Sequence, residues 1–197
     1  MGGLKVLVAC EYSGRVRDAF IRRGHYAASC DLLPSESPLG DHYQCNVLDI
    51  LNHGWDLMVA HPPCTYLSVS GMHWTTRGLR DPKLTEDALK FVQQLIDAPI
   101  PRIAIENPVS IISSRIRKPD QIIQPWWFGH DASKKTCLWL NNLPLLQPTR
   151  VLPGDAKTRR ANQTPSGQNK LAPSKDRWKL RSATYQGIAD AMAQQWG

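Results

Sequence analysis

A cysteine that follows two prolines is the first group in this chain that could do chemistry. Residues 56–60 form a short apolar run typical of a buried parallel strand, and Pro62 and Pro63 then end any ladder or helix. Ligands of open α/β sheets bind at the carboxyl ends of the strands, so the thiol of Cys64 could act there as a nucleophile. The alternative is a buried loop cysteine, since free cysteine is among the most buried residue types.

A carboxylate and an amide follow a second apolar run further along the chain. Residues 102–105 are followed by Glu106, Asn107 and Pro108, a pattern that indicates another parallel strand with polar groups at its carboxyl end. Because the carboxyl ends of parallel strands meet at one edge of a sheet, we expect Cys64, Glu106 and Asn107 to converge on one small planar substrate.

The elements that must position these residues alternate between strand and helix. Strands are predicted at residues 4–9, 26–30, 56–60, 102–107 and 134–140, and helices at residues 16–23, 81–97 and 184–196. Residues 72–80 are predicted to form a polar loop. This alternation indicates an α/β fold with a mainly parallel sheet flanked by helices.

The turn after the first strand is a candidate cofactor-binding corner. Residues 10–14 join a strand to a helix N-terminus, although their single glycine does not match the GxGxxG pattern. Asp31 follows the second strand, where an acid commonly binds ribose hydroxyls. The alternative for Asp31 is a carboxylate that caps a helix or a turn.

Length, cysteine content and charge limit the class of protein. The 197 residues with 42% hydrophobic content predict a single globular domain. No apolar run is long enough to span a membrane, and the first residues lack the pattern of a signal peptide. Five cysteines without CxxC pairing favour a reducing compartment over a disulfide framework or a zinc site. The net charge of +7 favours a polyanionic partner such as nucleic acid.

A basic segment, residues 150–181, is rich in Lys, Arg, Gln, Asn, Ser and Pro and poor in large apolar residues. This composition fits a disordered linker, a solvated face or a loop that contacts nucleic acid. We therefore divide the chain into a cofactor-binding and catalytic core at residues 1–149, the short basic segment, and a C-terminal helix at residues 182–197 that packs back on the core.

Taken together, these motifs resemble the C5-cytosine DNA methyltransferases, whose cofactor is S-adenosylmethionine. His61-Pro62-Pro63-Cys64, with Ser68 beyond it, resembles the Pro-Cys nucleophile loop of that family, and Glu106-Asn107-Pro108 resembles its Glu-Asn-Val motif. Residues 81–83 are similar to the Asp-Pro-Arg start of the following helix, and residues 185–192 to the last family motif. The chain is identified as a minimal, phage-type member with a Rossmann-like methyltransferase fold.

Some positions depart from the family pattern. Glu11 and Ser13 stand where the cofactor loop has glycines, and Asn46 stands where an acid usually contacts the adenine amino group. The Gln-x-Arg-x-Arg motif is absent, and Lys134 and Lys135 are the nearest cations that could replace its arginine.

The resemblance implies a role for each motif. Cys64 would attack C6 of a flipped or unpaired cytosine, Glu106 would contact N3 and the exocyclic amine, and Asn107 would hold the loop or the base. Lys135, with Lys134 as the rival, would take the place of the family arginine. The implied S-adenosylmethionine site comprises Cys10, Glu11, Tyr12, Ser13, Gly14, Asp31, Leu32, Asn46, Val47, Pro62, Asp190 and Met192. The implied nucleic-acid contacts are Ser68, Lys134, Arg159, Arg160, Lys175 and Arg177.

The function implied is methyl transfer to C5 of cytosine in double- or single-stranded DNA, with short or relaxed sequence specificity. A cytoplasmic monomer is expected, in the host cytoplasm if the chain is phage-encoded, with no membrane association and no metal. Three alternatives stay open: a methyltransferase-like protein that binds nucleic acid without methyl transfer, a C5 methyltransferase that acts on RNA, and an enzyme whose cofactor is a modified S-adenosylmethionine.

Overall fold

A computed structural model describes residues 2–155, 158, 161–164 and 169–197 of the chain. These residues form one seven-stranded sheet in the order β3-β2-β1-β4-β5-β7-β6. The strands are β1 (Lys5–Ala9), β2 (Tyr26–Cys30), β3 (Asp41–Tyr43), β4 (Leu57–Ala60), β5 (Arg102–Pro108), β6 (Gln121–Ile123) and β7 (Thr136–Asn141). The helices are α1 (Arg15–Arg22), α2 (Val69–Thr76), α3 (Pro82–Ile96), α4 (Ile112–Arg115), α5 (Arg177–Ser182) and α6 (Gln186–Trp196).

The sheet confirms the predicted α/β fold with a mainly parallel sheet flanked by helices. Strands β3, β2, β1, β4 and β5 run parallel, whereas β7 is antiparallel to both β5 and β6. The chain proceeds from β1 to one side through β2 and β3, and then to the other side through β4 and β5. The crevice between the carboxyl ends of β1 and β4 is therefore the switch point, where open α/β sheets bind their ligands.

Two layers of apolar side chains cover the sheet. One face packs under α3, with Leu89, Val92 and Leu95 buried against the strands. The other face packs under α1 and α6, which contact each other and bury Phe20 and Trp196. Because strands β1 and β4 are covered on both faces, their sequences are continuously apolar, and this made them recognisable from sequence.

Three short elements differ from the prediction. Residues 72–80 were expected to be a loop, but α2 occupies Val69–Thr76 because the Oγ of Ser68 accepts a hydrogen bond from Gly71 N at 3.1 Å and caps the helix. Strands β3 and β6 have three residues each, which is too short for a periodic pattern. None of the helices built from the described residues is long and apolar enough to cross a membrane.

Candidate active site

The Cys64 loop, residues 61–68, leaves the carboxyl end of β4 and turns back at once. The carbonyl of Cys64 accepts hydrogen bonds from the backbone N–H groups of Leu67 at 3.1 Å and Ser68 at 2.9 Å. The thiol of Cys64 is half-buried, so it is held at a fixed place at the sheet edge while part of it stays accessible.

The loop is tied to the segment that follows β5. Ile111 N donates to the Leu67 carbonyl at 2.9 Å, and Val69 N donates to the Val109 carbonyl at 3.3 Å. Helix α2 supports the loop from the other side at Gly71, where a Cβ atom would collide with the Thr65 carbonyl oxygen. Glycine is therefore required for α2 to lie against the chain next to the thiol.

Asn107 holds the Pro62 end of the same loop. Its Nδ2 donates to the Pro62 carbonyl at 2.7 Å, and the side chain is almost completely buried. Its Oδ1 is buried and has no hydrogen-bond partner among the described residues. Of the two roles that the sequence left open for Asn107, this contact supports the first, holding the loop.

Glu106 is paired with a histidine that the sequence reasoning did not single out. The Nδ1 of His61 lies 2.8 Å from Oε2 of Glu106, and both side chains are largely buried. The register explains the pairing, because Ala60 on β4 lies beside Ile105 on β5 and the next residue of each strand therefore faces the other. The position of His61 in His-Pro-Pro-Cys was visible, but the strand register was not.

Burial and the interaction between the two side chains shift the pKa values of His61 and Glu106 in opposite directions. Burial raises the pKa of Glu106, but the hydrogen bond from His61 and the charge of Lys134 outweigh burial and leave that pKa below its ordinary value. Burial lowers the pKa of His61, but the hydrogen bond and charge of Glu106 outweigh it and raise that pKa. The other ring nitrogen of His61, Nε2, is buried without a hydrogen-bond partner among the described residues.

Lys134, rather than Lys135, lies on the Glu106 side of the sheet. Residues directly opposite each other in an antiparallel pair share a face, and Glu106 lies opposite Leu138. Lys134 and Thr136 alternate onto that face and line a cleft with Glu106, whereas the charge of Lys135 acts on Cys137 on the other face. Lys134, which the sequence left open as the rival, is therefore the lysine on the Glu106 face, and the expectation that Lys135 lies beside Glu106 is corrected.

Nearby charges of both signs act on the pKa of the Cys64 thiol. Burial raises its pKa, and the carboxylate of Glu106 raises it further, while the positive charges of Lys134 and Arg181 lower it. The net pKa is above the ordinary value for cysteine, so the thiolate forms less readily than in water.

The turn at residues 10–14 has its helix N-terminus already occupied. The two carboxylate oxygens of Glu11 accept the N–H groups of Val16 at 2.8 Å and Arg17 at 3.2 Å, and Ser13 Oγ donates to Glu11 Oε1 at 3.2 Å. Glu11 thus binds where an external anion would bind at the start of α1. Cys10 adopts a left-handed backbone with φ of 58°, which is uncommon for a residue other than glycine.

Four further predicted cofactor residues follow the ends of β2 and β3. Asp31 Oδ1 accepts the Leu33 N–H at 2.9 Å in a local turn, and Leu32 beside it is 73% exposed. Asn46 Oδ1 accepts the Leu48 N–H at 3.1 Å and caps a short 3-10 helix that begins at the buried Val47. Asp31 and Leu32 therefore lie at the carboxyl edge of the sheet, near the switch point.

Asp190 and Met192 do not reach this edge, which corrects their assignment to the cofactor site. Asp190 lies on the surface of α6, 3.5 Å from Arg22 at the end of α1 that is remote from the first turn. Met192 is fully buried in the core between the helices and the sheet. The matching motif is present in the sequence, but these two side chains serve the packing and surface of α6.

Helix α5, which begins in the last part of the basic segment, covers the first turn. The hydroxyl of Tyr12 donates to the Lys179 carbonyl at 3.1 Å, and the ring of Tyr12 lies 5.9 Å from that of Trp178. Arg15 reaches the Thr184 carbonyl at 3.0 Å, so the chain on both sides of Ser182 is attached to the turn. Trp178 remains 52% exposed on the outer side of the helix.

A narrow cleft runs beside Glu106 beneath this cover. Its volume is about 10 Å³, which is room for about one water molecule. The cleft is closed in part by the Nζ of Lys134, which donates to the Arg181 carbonyl at 3.1 Å. Its lining is formed by Glu106, Lys134, Thr136, Thr184, Tyr185 and Ile188.

The predicted nucleic-acid contacts are only partly described. Arg159 and Arg160 lie outside the described residues. Lys175 is exposed, whereas Arg177 is partly buried and donates to the Asn169 carbonyl at 3.4 Å. Ser68 has the capping role described above, and its contact with nucleic acid stays a prediction.

No protein-family model and no curated protein matches the chain. One solved structure that it resembles is described as a DNA modification methyltransferase encoded within an E. coli prophage, with 13% identity over 79% of this chain and a TM-score of 0.49. Another is the Burkholderia thailandensis 1,6-didemethyltoxoflavin-N1-methyltransferase with bound S-adenosylhomocysteine, with 16% identity over 71% of this chain and a TM-score of 0.32. The chain spans about half the length of both, 54% and 55%. Both similarities are weak, so the sheet order and register of the chain itself define its fold.

Proposed function

We propose that the chain is an S-adenosylmethionine-dependent methyltransferase that methylates C5 of cytosine in DNA. The observation that carries this proposal is the half-buried thiol of Cys64 at the same sheet edge as the buried His61–Glu106 pair and Lys134. A nucleophile, a paired carboxylate and a cation at neighbouring strand ends are the groups that activation of a pyrimidine ring requires.

Cys64 supplies the nucleophile in this proposal. C5 of cytosine is too weakly nucleophilic to accept a methyl group unaided, and addition of the Cys64 sulfur to C6 makes C5 part of an electron-rich enamine. The charges of Lys134 and Arg181 favour the thiolate form that this addition needs. After the methyl group is on C5, loss of the C5 proton to water lets Cys64 leave and restores the aromatic ring.

Glu106 binds the polar edge of the base. Its Oε2 is engaged by His61, so Oε1 is the oxygen that meets N3 and the exocyclic amine of cytosine. Lys134 contacts the carbonyl at C2 once it releases the Arg181 carbonyl. Since the cleft has room for about one water molecule, entry of a base requires that the chain around Arg181 and Thr184 moves away from Glu106.

The donor set at the carboxyl edge fits S-adenosylmethionine at its nucleoside end. Asp31 offers a carboxylate for the ribose hydroxyls, and the exposed side chain of Leu32 offers an apolar surface for adenine. Tyr12 follows β1 and Asn46 follows β3, so both come after strands that end at this edge. When bound there, the cofactor supplies an electrophilic methyl group.

DNA binds across the basic segment in this proposal. Lys175 and Arg181 are exposed next to the cleft cover, and cations in such a position contact phosphates rather than base edges. A short segment presents few groups that can read base edges, so the sequence preference is short or relaxed.

The second candidate is a nucleic-acid-binding protein that does not transfer methyl groups. The carboxylate of Glu11 at the N-terminus of α1 favours it, because that carboxylate fills a place where a cofactor group could bind.

Incubation with methyl-labelled S-adenosylmethionine tests the proposal. Cytosine-rich DNA of mixed sequence, in single- and double-stranded form, should yield 5-methyl-2′-deoxycytidine in nucleoside mass spectra. Cys64→Ala should abolish the product, whereas Cys137→Ala, at a buried cysteine, should keep it. Label in RNA but not in DNA, or DNA binding without label in either, would refute the proposal and favour the corresponding alternative.

A further inference from the structure

The His61–Glu106 pair is the most completely buried ionisable contact at the candidate site. Its Nδ1–Oε2 distance of 2.8 Å is that of a charge-assisted hydrogen bond, and each side chain is only about a tenth exposed, 11% and 9%. A buried pair of this kind titrates as one unit, so its protons belong to the pair rather than to either residue.

The surroundings of the pair explain why it keeps a proton. Glu11 approaches from the turn after β1 and Lys134 from the start of β7, and their charges act on His61 in opposite directions. From the Cys64 loop, the thiol feels the charge of Glu106. From the start of α6, Thr184 and Tyr185 line the cleft with neutral groups. The charges that act on Glu106 itself are those of His61 and Lys134.

We propose that His61 is a positioning residue for methyl transfer, which holds Oε2 of Glu106 and shares with Glu106 the proton that N3 of the cytosine needs. The inference rests on the proposed function, because it assigns a role to His61 in that reaction. It adds a residue that acts through Glu106 and does not itself touch the base.

Methyl transfer conserves protons and electrons within the pair and the ring. One proton stays on Nδ1 of His61 in the hydrogen bond, and a second resides either on Nε2 of His61 or on Oε1 of Glu106. As the sulfur of Cys64 forms its bond to C6, the ring electrons move toward N3, which takes the second proton from Oε1. When the C4=C5 electron pair forms the bond from C5 to the methyl group, the lone pair of N3 restores the C4=N3 double bond, and N3 returns its proton to Glu106.

The unpartnered Nε2 of His61 is what makes this sharing possible. A buried nitrogen without an acceptor does not hold its proton by a hydrogen bond, so the second proton is available to the pair. Although burial lowers the pKa of His61, the hydrogen bond and charge of Glu106 raise it above its ordinary value, so the pair keeps this proton to higher pH than a free histidine does. Loss of the proton at still higher pH leaves Glu106 ionised beside a neutral His61, with nothing to donate to N3.

His61→Asn separates the two parts of the role. An asparagine amide can donate to Oε2 of Glu106 as His61 does, but it carries no titratable proton. The pair in this variant can store its proton only on Glu106, so the proton is lost at lower pH than in the wild type. His61→Gln is the second variant, in case His61→Asn does not fold, and thermal unfolding is measured for both.

The first experiment needs neither DNA nor cofactor. The chain has six histidines, and in an NMR titration of histidine-labelled protein the resonance that disappears in His61→Asn is that of His61. We expect the pKa of His61 to lie above the ordinary histidine value in the wild type and below it in Glu106→Gln. The pKa of His130 should be the same in both proteins. A His61 resonance that does not respond to Glu106→Gln would overturn the inference.

The second experiment measures the rate of methyl transfer against pH. We expect His61→Asn to keep KM for DNA within a few-fold of the wild-type value. In the plot of kcat against pH, the fall on the alkaline side should move to lower pH, with at least a tenfold loss of kcat there. An unchanged alkaline fall in a variant that folds and transfers would overturn the inference alone. Absence of transfer by the wild-type protein would instead refute the proposed function, and the NMR result distinguishes the two failures.

Discussion

Gly71→Ala should detach the Cys64 loop from α2 at a small cost in stability. A Cβ at this position would collide with the Thr65 carbonyl oxygen and would lie 3.1 Å from Ser68 Oγ, so the loop or the first turn of α2 must move. The Thr65 carbonyl accepts a hydrogen bond from Arg80 at 3.0 Å, which is lost when that carbonyl is displaced.

The expected free energy change is a sum of opposing contributions. Loss of the Arg80 hydrogen bond costs about 1 kcal/mol, and weakening of the Ser68 cap costs about 1 kcal/mol. Alanine in place of glycine within a helix returns about 1 kcal/mol. The net loss of unfolding free energy is therefore about 1 kcal/mol, whereas a displacement of the nucleophile by about 1 Å can lower kcat about 100-fold.

Gly78→Ala is the matched control. Gly78 has a left-handed φ of 70°, and a Cβ added there would meet no other atom within 4 Å. The backbone strain alone costs about 1–2 kcal/mol. The control therefore loses a similar amount of stability without pressing on the Cys64 loop.

Denaturant unfolding gives the stability of both variants, and the rate of alkylation at Cys64, read by peptide mass spectrometry, reports the thiol directly. We expect Gly71→Ala to change the alkylation rate severalfold and to lower methyl transfer, and Gly78→Ala to change neither. If Gly71→Ala has the same rates of Cys64 alkylation and methyl transfer as the wild type, the role given to this glycine is refuted.

Three further predictions concern single groups. His130→Asn should lower the free energy of unfolding by about 1 kcal/mol, because Nε2 of His130 accepts the N–H of Gly187 in the first turn of α6. Burial lowers the pKa of His130, so this stabilisation is present above the ordinary histidine pKa and is lost as the pH falls through the lower pKa of the folded state. Urea unfolding of wild type and variant at a series of pH values would show this as a difference that disappears at low pH. Lys134→Met should raise the pKa of Cys64 in pH-dependent alkylation, and Lys135→Met should leave it unchanged; equal effects would contradict the assignment of Lys134. Lys175→Ala should flatten the slope of log K against log salt for double-stranded DNA by about 0.9, and an unchanged slope would remove this residue from the phosphate contacts.

The central strands and the convergence of their ends could be predicted from the sequence. Buried parallel strands are continuously apolar, so residues 56–60 and 102–105 were recognisable, and the residues after them had to share an edge. The contact between His61 and Glu106 was not predictable in the same way, because it depends on the register of β4 against β5. A shift of one residue would turn one of these side chains to the opposite face.

Other parts of the site depend on geometry that a motif does not contain. The antiparallel direction of β7 places its first residues beside the carboxyl end of β5, and the pairing of Glu106 with Leu138 then puts Lys134 rather than Lys135 on the Glu106 face. Met192 matched a family motif, but the rotation of α6 about its axis buries it in the core. The carboxylate of Glu11 reaches the start of α1 only because the chain turns sharply at Cys10, where φ is 58°.

Covalent capture tests the central claim, that Cys64 attacks C6 of a cytosine, most directly. A cytosine with fluorine at C5 has no proton there to lose, so an adduct that has accepted a methyl group cannot eliminate Cys64. DNA that contains 5-fluorocytosine in many sequence contexts should therefore yield a denaturant-stable complex that requires S-adenosylmethionine. Cys64→Ala should form none, and Glu106→Gln should form it slowly or not at all, because a neutral amide stabilises the activated ring less well. If the protein methylates ordinary DNA but gives no covalent complex with fluorinated DNA, the attack by Cys64 is contradicted.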